Sequence, residues 1–210
     1  MPQNLNHENE SRIWDAFRHG EQGALELIYR QYSVILYRYG FRFVGNPAML
    51  EDILQDFFLY LIDHRYNLGK TTSVRYYLLK SFRRFLFRKV KSGLRYKGTP
   101  LTDDLNFTLE FSMETFSDKQ EDQKEKREKL REALGLLTRQ QREAIYLRFY
   151  VGLDYQEIAE IMEIKYQSSR TLVYLAIKSL REIFSSGGHL SKTWNLINTN
   201  SDTWSYLIRI

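Results

Sequence analysis

Apolar residues recur along most of the chain at three- and four-residue intervals, and period-two runs of β-branched residues are scarce. The pattern predicts an all-α protein. Ile13, Trp14 and Phe17 mark a short first helix closed at Gly20. A second is predicted from Glu21 to Phe43, with Ala24, Leu27, Ile28, Ile35 and Tyr39 inward, ending at Gly45. Asn46-Pro47 then opens a third. An asparagine side chain accepts from free amides, and proline lacks the donor that would be orphaned there. Leu50, Ile53, Leu54, Phe57, Phe58, Leu61 and Ile62 carry its helical rhythm to about His64. Arg65 to Thr71, with Asn67 and Gly69, reads as a loop, and Thr72 or Ser73 caps a fourth helix reaching Ser92.

The rhythm then breaks. Gly93, Gly98, Pro100, Asp103-Asp104 and a charged run from Asp118 to Arg131 predict a flexible acidic linker over residues 93–125, in which Leu109 and Phe111 are the candidate contact positions. It separates two small helical domains, residues 12–92 and 126–184. In the second, Thr138-Arg139-Gln140-Gln141 fits a capping box, and its helix runs to Tyr150 or Val151, where Gly152 stops it. Asp154-Tyr155-Gln156-Glu157 caps a short helix to Met162, Glu163-Ile164-Lys165 makes a tight turn, and a last helix runs from Tyr166 to Phe184. The tail, residues 185–210, contains Trp194 and Trp204 and receives no role.

Composition narrows the chemistry. The 210 residues include no cysteine, which excludes disulfides, zinc fingers and thiol catalysis. The four histidines are scattered without metal-ligand spacing, and no phosphate-cradling glycine loop or nucleophile elbow occurs. Neither an enzyme nor a bound cofactor or metal is expected, nor a small-molecule substrate. No apolar run reaches membrane-spanning length, so no membrane insertion is expected, and the polar N-terminus lacks a signal core. The expected location is cytoplasmic. The net charge of +5 is unevenly spread: Lys70 to Lys97 holds ten basic residues and no acid, whereas Gly98 to Glu128 holds nine acids and four bases. Such segregation points to a polyanionic partner.

Tyr155 to Leu180 has the spacing of a helix-turn-helix. Ile158, Ala159 and Met162 pack its first helix, Ile164 plugs the turn, and Leu172, Val173, Ala176 and Leu180 hold down the second. Lys165, Gln167, Ser168, Arg170 and Thr171 lie near the second helix's amino end, where free amides and a positive partial charge suit a major groove. Arginine grips guanine bidentately, and glutamine grips adenine. Glu163 stands where such turns often place glycine, and Ser169 where an aliphatic side chain is usual.

The fourth helix predicts a different use of nucleic acid. Val74, Tyr77, Leu78, Phe82, Phe85 and Leu86 form one apolar face; Tyr76, Lys80, Arg83, Phe87 and Lys91 line the other, flanked by Arg84 and Arg88. Cations that track phosphates, interleaved with rings that stack on bases, suit unpaired strands. A solvated basic face, or one lying on an anionic membrane, fits the same spacing.

These modules together resemble the extracytoplasmic-function (ECF) class of sigma-70 family sigma factors. Ala24-Leu25-Glu26-Leu27-Ile28-Tyr29, Glu51-Asp52-Ile53-Leu54-Gln55-Asp56-Phe57-Phe58 and Tyr77-Leu78-Leu79-Lys80-Ser81 resemble sigma domain two. Leu137 to Glu143 and Gly152 to Ala159 resemble domain four. The resemblance implies a transcription initiation factor whose partners are core RNA polymerase (the β′ clamp helices and the β flap) and promoter DNA, with room for an anti-sigma factor. It implies that Asp52, Gln55 and Asp56 dock the β′ clamp helices. It also implies that the 65–71 loop, with Asn67 and Lys70, captures a flipped minus-ten base. Tyr76, Lys80, Arg83, Arg84, Phe87 and Lys91 would handle the separating strands, and Lys165, Gln167, Ser168, Arg170 and Thr171 would read the minus-thirty-five element. The linker would thread a basic polymerase channel. Arg84 and Arg88 make the melting surface more cationic than the family pattern, and Leu175 stands where arginine is frequent. A helix-turn-helix regulator that never enters polymerase is the alternative.

Overall fold

The computed structural model describes residues 7–96, 106–109 and 133–185, and every regular element among them is helical. They form two compact units divided between Leu105 and Asn106.

The first unit contains α1 (His7–Arg18), α2 (Ala24–Val44), α3 (Pro47–Asp63), a 3-10 turn (Arg65–Asn67) and α4 (Val74–Tyr96). The Asn46 side chain accepts from the Met49 amide at 3.0 Å, with Pro47 in the first turn, as its sequence signature requires. Trp14, Ile28, Leu36, Tyr39, Leu50, Phe57, Leu61, Leu78 and Phe82 are fully buried and tie the four helices into one core. Gly40 lets α2 come close to its neighbours, since a Cβ there would stand 2.7 Å from Leu50 Cδ1 and 2.9 Å from the Phe82 ring. Leu27, expected inward, is 51% exposed. The buried stripe of α2 runs through Ala24, Ile28, Tyr32, Leu36, Tyr39 and Phe43, and Leu27 lies about a third of a turn from its centre.

The second unit contains a helical turn at 133–135, α5 (Arg139–Ile145), a π-helical turn (Tyr146–Val151), α6 (Tyr155–Met162) and α7 (Tyr166–Ser185). Both expected caps form as complete capping boxes, Thr138 with Gln141 and Asp154 with Glu157. The helix expected to reach Val151 widens into the π-turn before Gly152 ends it in the left-handed region (φ 82°).

Residues 106–109 lie in this unit and not in a free tether. Phe107 is fully buried, edge-on to Tyr146 at 5.6 Å. Arg142 donates from Nε to the Phe107 carbonyl (2.8 Å), from Nη2 to Asn106 Oδ1 (3.1 Å) and from Nη1 to the Leu137 carbonyl (2.8 Å). Burial lowers the pKa of this guanidinium from its ordinary value, since desolvation penalises the charge. Leu109 is half-buried, and Phe111 lies outside the described residues. So do residues 97–105, 110–132 and 186–210.

Candidate nucleic-acid interface

The amino end of α7 is built from the turn outward. Glu163 takes the left-handed conformation expected of that position (φ 58°), and the Ile164 amide bonds the Ala159 carbonyl at 2.9 Å, turning the chain sharply. Ala159 is buried where the two helices meet, and Val173, Ala176 and Leu180 press α7 down. Ser169 is fully buried, and its hydroxyl lies 2.8 Å from the carbonyls of both Tyr155 and Tyr166. Its one proton is shared between a carbonyl of its own helix and that of the first residue of α6, so a hydroxyl in an aliphatic position is satisfied and the two helices are linked.

That anchoring leaves Lys165, Gln167, Ser168, Arg170 and Thr171 exposed together. Thr171 Oγ1 donates to the Gln167 carbonyl at 2.9 Å, so its lone pairs remain available to a base edge. Tyr174, 65% exposed, continues the line from Gln167 and Thr171. Tyr166 is also exposed, with the Arg170 guanidinium 5.9 Å from its ring. Sequence reasoning missed both tyrosines; the i, i+4, i+7 continuation from Gln167 marks Tyr174.

In the first unit the expected strand-handling residues divide. Asn67 and Lys70 in the loop and Arg84 and Lys91 on α4 are exposed, as is Arg88. Tyr76 and Lys80 are half-buried and joined, Lys80 Nζ donating to the Tyr76 hydroxyl at 2.8 Å. Arg83 is only 8% exposed, its guanidinium 4.6 Å over the Phe87 ring, and Phe87 packs edge-on against Phe43 at 5.1 Å. Phe87 is thus not an open stacking face. The buried arc of α4 is wider than its hydropathy predicts, because the carboxyl end of α2 covers a side that looks polar in sequence. Tyr66 presents an open ring at 66% exposure, with Arg65 stacked 4.5 Å over it.

Asp52, Gln55 and Asp56 are exposed on α3 opposite its core stripe. Asp56 pairs with Lys89 of α4 at 2.7 Å, where both side chains are largely solvated. Leu59, 57% exposed, extends the same stripe, an apolar position amid carboxylates that periodicity alone marks as outward. Among the described residues no cluster of three or more acids or histidines is placed to hold a metal ion, and no helix is long and apolar enough to cross a membrane.

Comparisons with known proteins fit this arrangement. Residues 28–95 match the sigma-70 region 2 family and residues 127–180 match sigma-70 region 4. The chain is 24% identical over 173 residues to the ECF RNA polymerase sigma factor SigL of Mycobacterium tuberculosis, covering 77% of this chain and 89% of that one. It is 27% identical over 168 residues to the ECF RNA polymerase sigma factor BldN of Streptomyces coelicolor, covering 78% and 61%. Two solved structures share the fold. CnrH, in complex with the cytosolic domain of CnrY, gives a TM-score of 0.54 at 15% identity over 84% of this chain and 97% of that one. The sigma factor RpoE of Bartonella quintana, in complex with the anti-sigma factor NepR, gives 0.52 at 18% identity over 77% and 94%. Both region matches, in order and on separate helical units, together with the ECF relatives, place this chain in the sigma-70 family of RNA polymerase sigma factors.

Proposed function

We propose that this protein is a transcription initiation subunit that binds core RNA polymerase and directs it to specific promoters. The observation that carries the proposal is the division of exposed chemistry on one chain. An acidic stripe on α3 lies in the same unit as a cationic edge on α4 and an open tyrosine, while a separately folded helix-turn-helix presents Arg170 and Gln167. A repressor that only grips duplex DNA needs the last of these alone.

In this reading Asp52, Gln55 and Asp56 meet the cationic faces of the β′ clamp helices, with Leu59 at the end of their stripe; charge gives register and on-rate, and the apolar contact gives residence time. Lys165, Gln167, Ser168, Arg170 and Thr171 read the minus-thirty-five element. Asn67 and Lys70 meet the minus-ten strand with Tyr66, while Arg84, Arg88 and Lys91 track its phosphates; Tyr76 and Lys80 form the adjoining wall. Arg83 and Phe87 support that surface from beneath. The acidic linker enters a cationic channel of polymerase, and the assembly works by binding, without chemistry of its own. The complexes of the two structural relatives support an anti-sigma factor as a further partner.

Co-purification with core polymerase followed by run-off transcription tests the proposal. Binding to core and promoter-specific transcripts are expected. Promoter-sized DNA binding without any core affinity overturns it in favour of a stand-alone regulator.

A further inference from the structure

Two side chains of α1 reach across the first unit to the loop that follows α3. Trp14 Nε1 donates to the Gly69 carbonyl at 2.9 Å, and Arg18 Nε donates to the Leu68 carbonyl at 2.6 Å, partners 55 and 50 residues away in sequence. Trp14 and Arg18 are one helical turn apart, so they address consecutive carbonyls from one face of α1. Each is itself fixed. The Trp14 indole is fully buried, 4.8 Å from Tyr77 and 5.5 Å from Phe17, and Arg18 is clasped by Asp15 at 2.9 Å.

The chain just past α1 also runs close to the loop. Gly20 adopts φ +79°, and a Cβ there would stand 3.2 Å from the Tyr66 hydroxyl and 3.4 Å from Arg65 Nε. Arg65 in turn donates to the Ile62 carbonyl at 2.8 Å and to the Tyr66 hydroxyl at 3.0 Å. The loop is therefore held by its backbone from behind, while Tyr66, Asn67 and Lys70 face solvent.

We propose that α1 sets the position of the 65–71 loop through Trp14 and Arg18, which serve as positioning residues for capture of an unpaired base. The proposal rests on the reading of that loop as the strand-capturing element. Core packing alone explains an aromatic ring at position 14, but not a donor aimed at a loop carbonyl or a cation beside it. A pre-set loop receives a base without losing backbone freedom at that moment, so the ordering cost is met during folding.

The test uses the full chain with core polymerase and promoter DNA carrying 2-aminopurine in the minus-ten element, whose fluorescence rises when the base unstacks. Trp14→Phe removes the donor and keeps a ring; Arg18→Ala removes the second donor, and Arg18→Lys restores one. Trp14→Phe and Arg18→Ala are expected to lower the opening equilibrium by a factor of roughly 5 to 30, the effect of one or two lost hydrogen bonds. Core affinity and closed-complex affinity should remain near those of the unaltered chain, and Arg18→Lys should recover part of the loss. If Tyr66→Ala and Asn67→Ala impair opening while the α1 variants open normally, the positioning role is overturned and the loop reading survives. If the α1 variants lose core affinity and opening in equal measure, they act through general destabilisation, and the proposal is overturned. If Tyr66→Ala and Asn67→Ala leave opening unchanged, the loop reading itself falls and takes this proposal with it.

Discussion

Replacing Phe107 with alanine measures how much of the second unit's core is supplied from outside its helices. The ring is fully buried, and its neighbour Tyr146 is fully buried as well. Burying a phenylalanine side chain contributes about 1.5–3 kcal/mol. The hydrogen bonds from Arg142 to the Phe107 carbonyl and to Asn106 involve a charged donor, and each contributes about 1.5–3 kcal/mol. Against these gains, ordering the four residues 106–109 costs about 1–2 kcal/mol of backbone entropy per residue. Gains of about 4.5–9 kcal/mol thus oppose a cost of about 4–8 kcal/mol, and docking is favourable by a small margin. Loss of the ring removes that margin, so Phe107→Ala should release the segment rather than leave a dry cavity behind it.

Hydrogen exchange on the full chain reads this directly. The amides of residues 106–109 should lose protection. Protection in α5 should fall roughly 10- to 100-fold, because Tyr146 becomes exposed and Arg142 loses two acceptors. Phe107→Leu should keep most of both. Unchanged protection of the segment and of α5 in Phe107→Ala would refute the reasoning, since it would mean that the Arg142 hydrogen bonds alone hold the segment.

Other substitutions test the remaining arguments. Glu163→Gly should stabilise the second unit by about 0.5–1 kcal/mol in chemical denaturation, as relief of the left-handed strain exceeds the added freedom of the unfolded chain. Ser169→Ala should cost about 1 kcal/mol by the same measurement, from loss of the hydroxyl bond to the Tyr155 carbonyl. Gly40→Ala should destabilise the first unit by about 1–3 kcal/mol, because Leu50 and Phe82 must move to admit a methyl group. Asp56→Ala removes a solvated ion pair and should change folding stability by about 1 kcal/mol at most, so a tenfold or greater loss of core affinity would report on the docking surface itself.

The legible part of the fold was the part written in short-range chemistry. Thr138 and Asp154 announce their helices because a cap is decided within four residues, and Asn46-Pro47 does the same for α3. The helix-turn-helix was legible for a related reason, since its two helices pack across a three-residue turn and each constrains the other's spacing. Arg83 and Phe87 lie deeper than their spacing on α4 suggests because Phe87 packs against Phe43 of another helix and Arg83 lies over Phe87. A helical wheel of α4 alone shows two plausible faces and does not reveal how wide a partner covers them. Phe107 was hidden differently: one aromatic residue in a polar segment carries no periodicity, and its significance comes from Arg142. The donors of Trp14 and Arg18 were equally silent, because hydropathy registers an indole as apolar and says nothing about its N–H.

The two departures from the usual helix-turn-helix pattern differ physically, although both look like defects in sequence. Ser169 places a polar group in a fully buried position, which is costly only while the group lacks a partner. The nearby Tyr155 carbonyl removes that cost and replaces non-directional apolar contact with a directional bond. The bond constrains how α7 can roll against α6, and roll sets the direction of Gln167 and Arg170, which in the proposed function decides between base edges and phosphates. Glu163, by contrast, is required by the sharp turn to occupy a backbone region that its side chain disfavours. A wider turn would relieve the strain but would carry Lys165 and the amino end of α7 away from the position that Ser169 fixes. Strain in the turn and the bond at Ser169 therefore act on the same quantity, the orientation of α7.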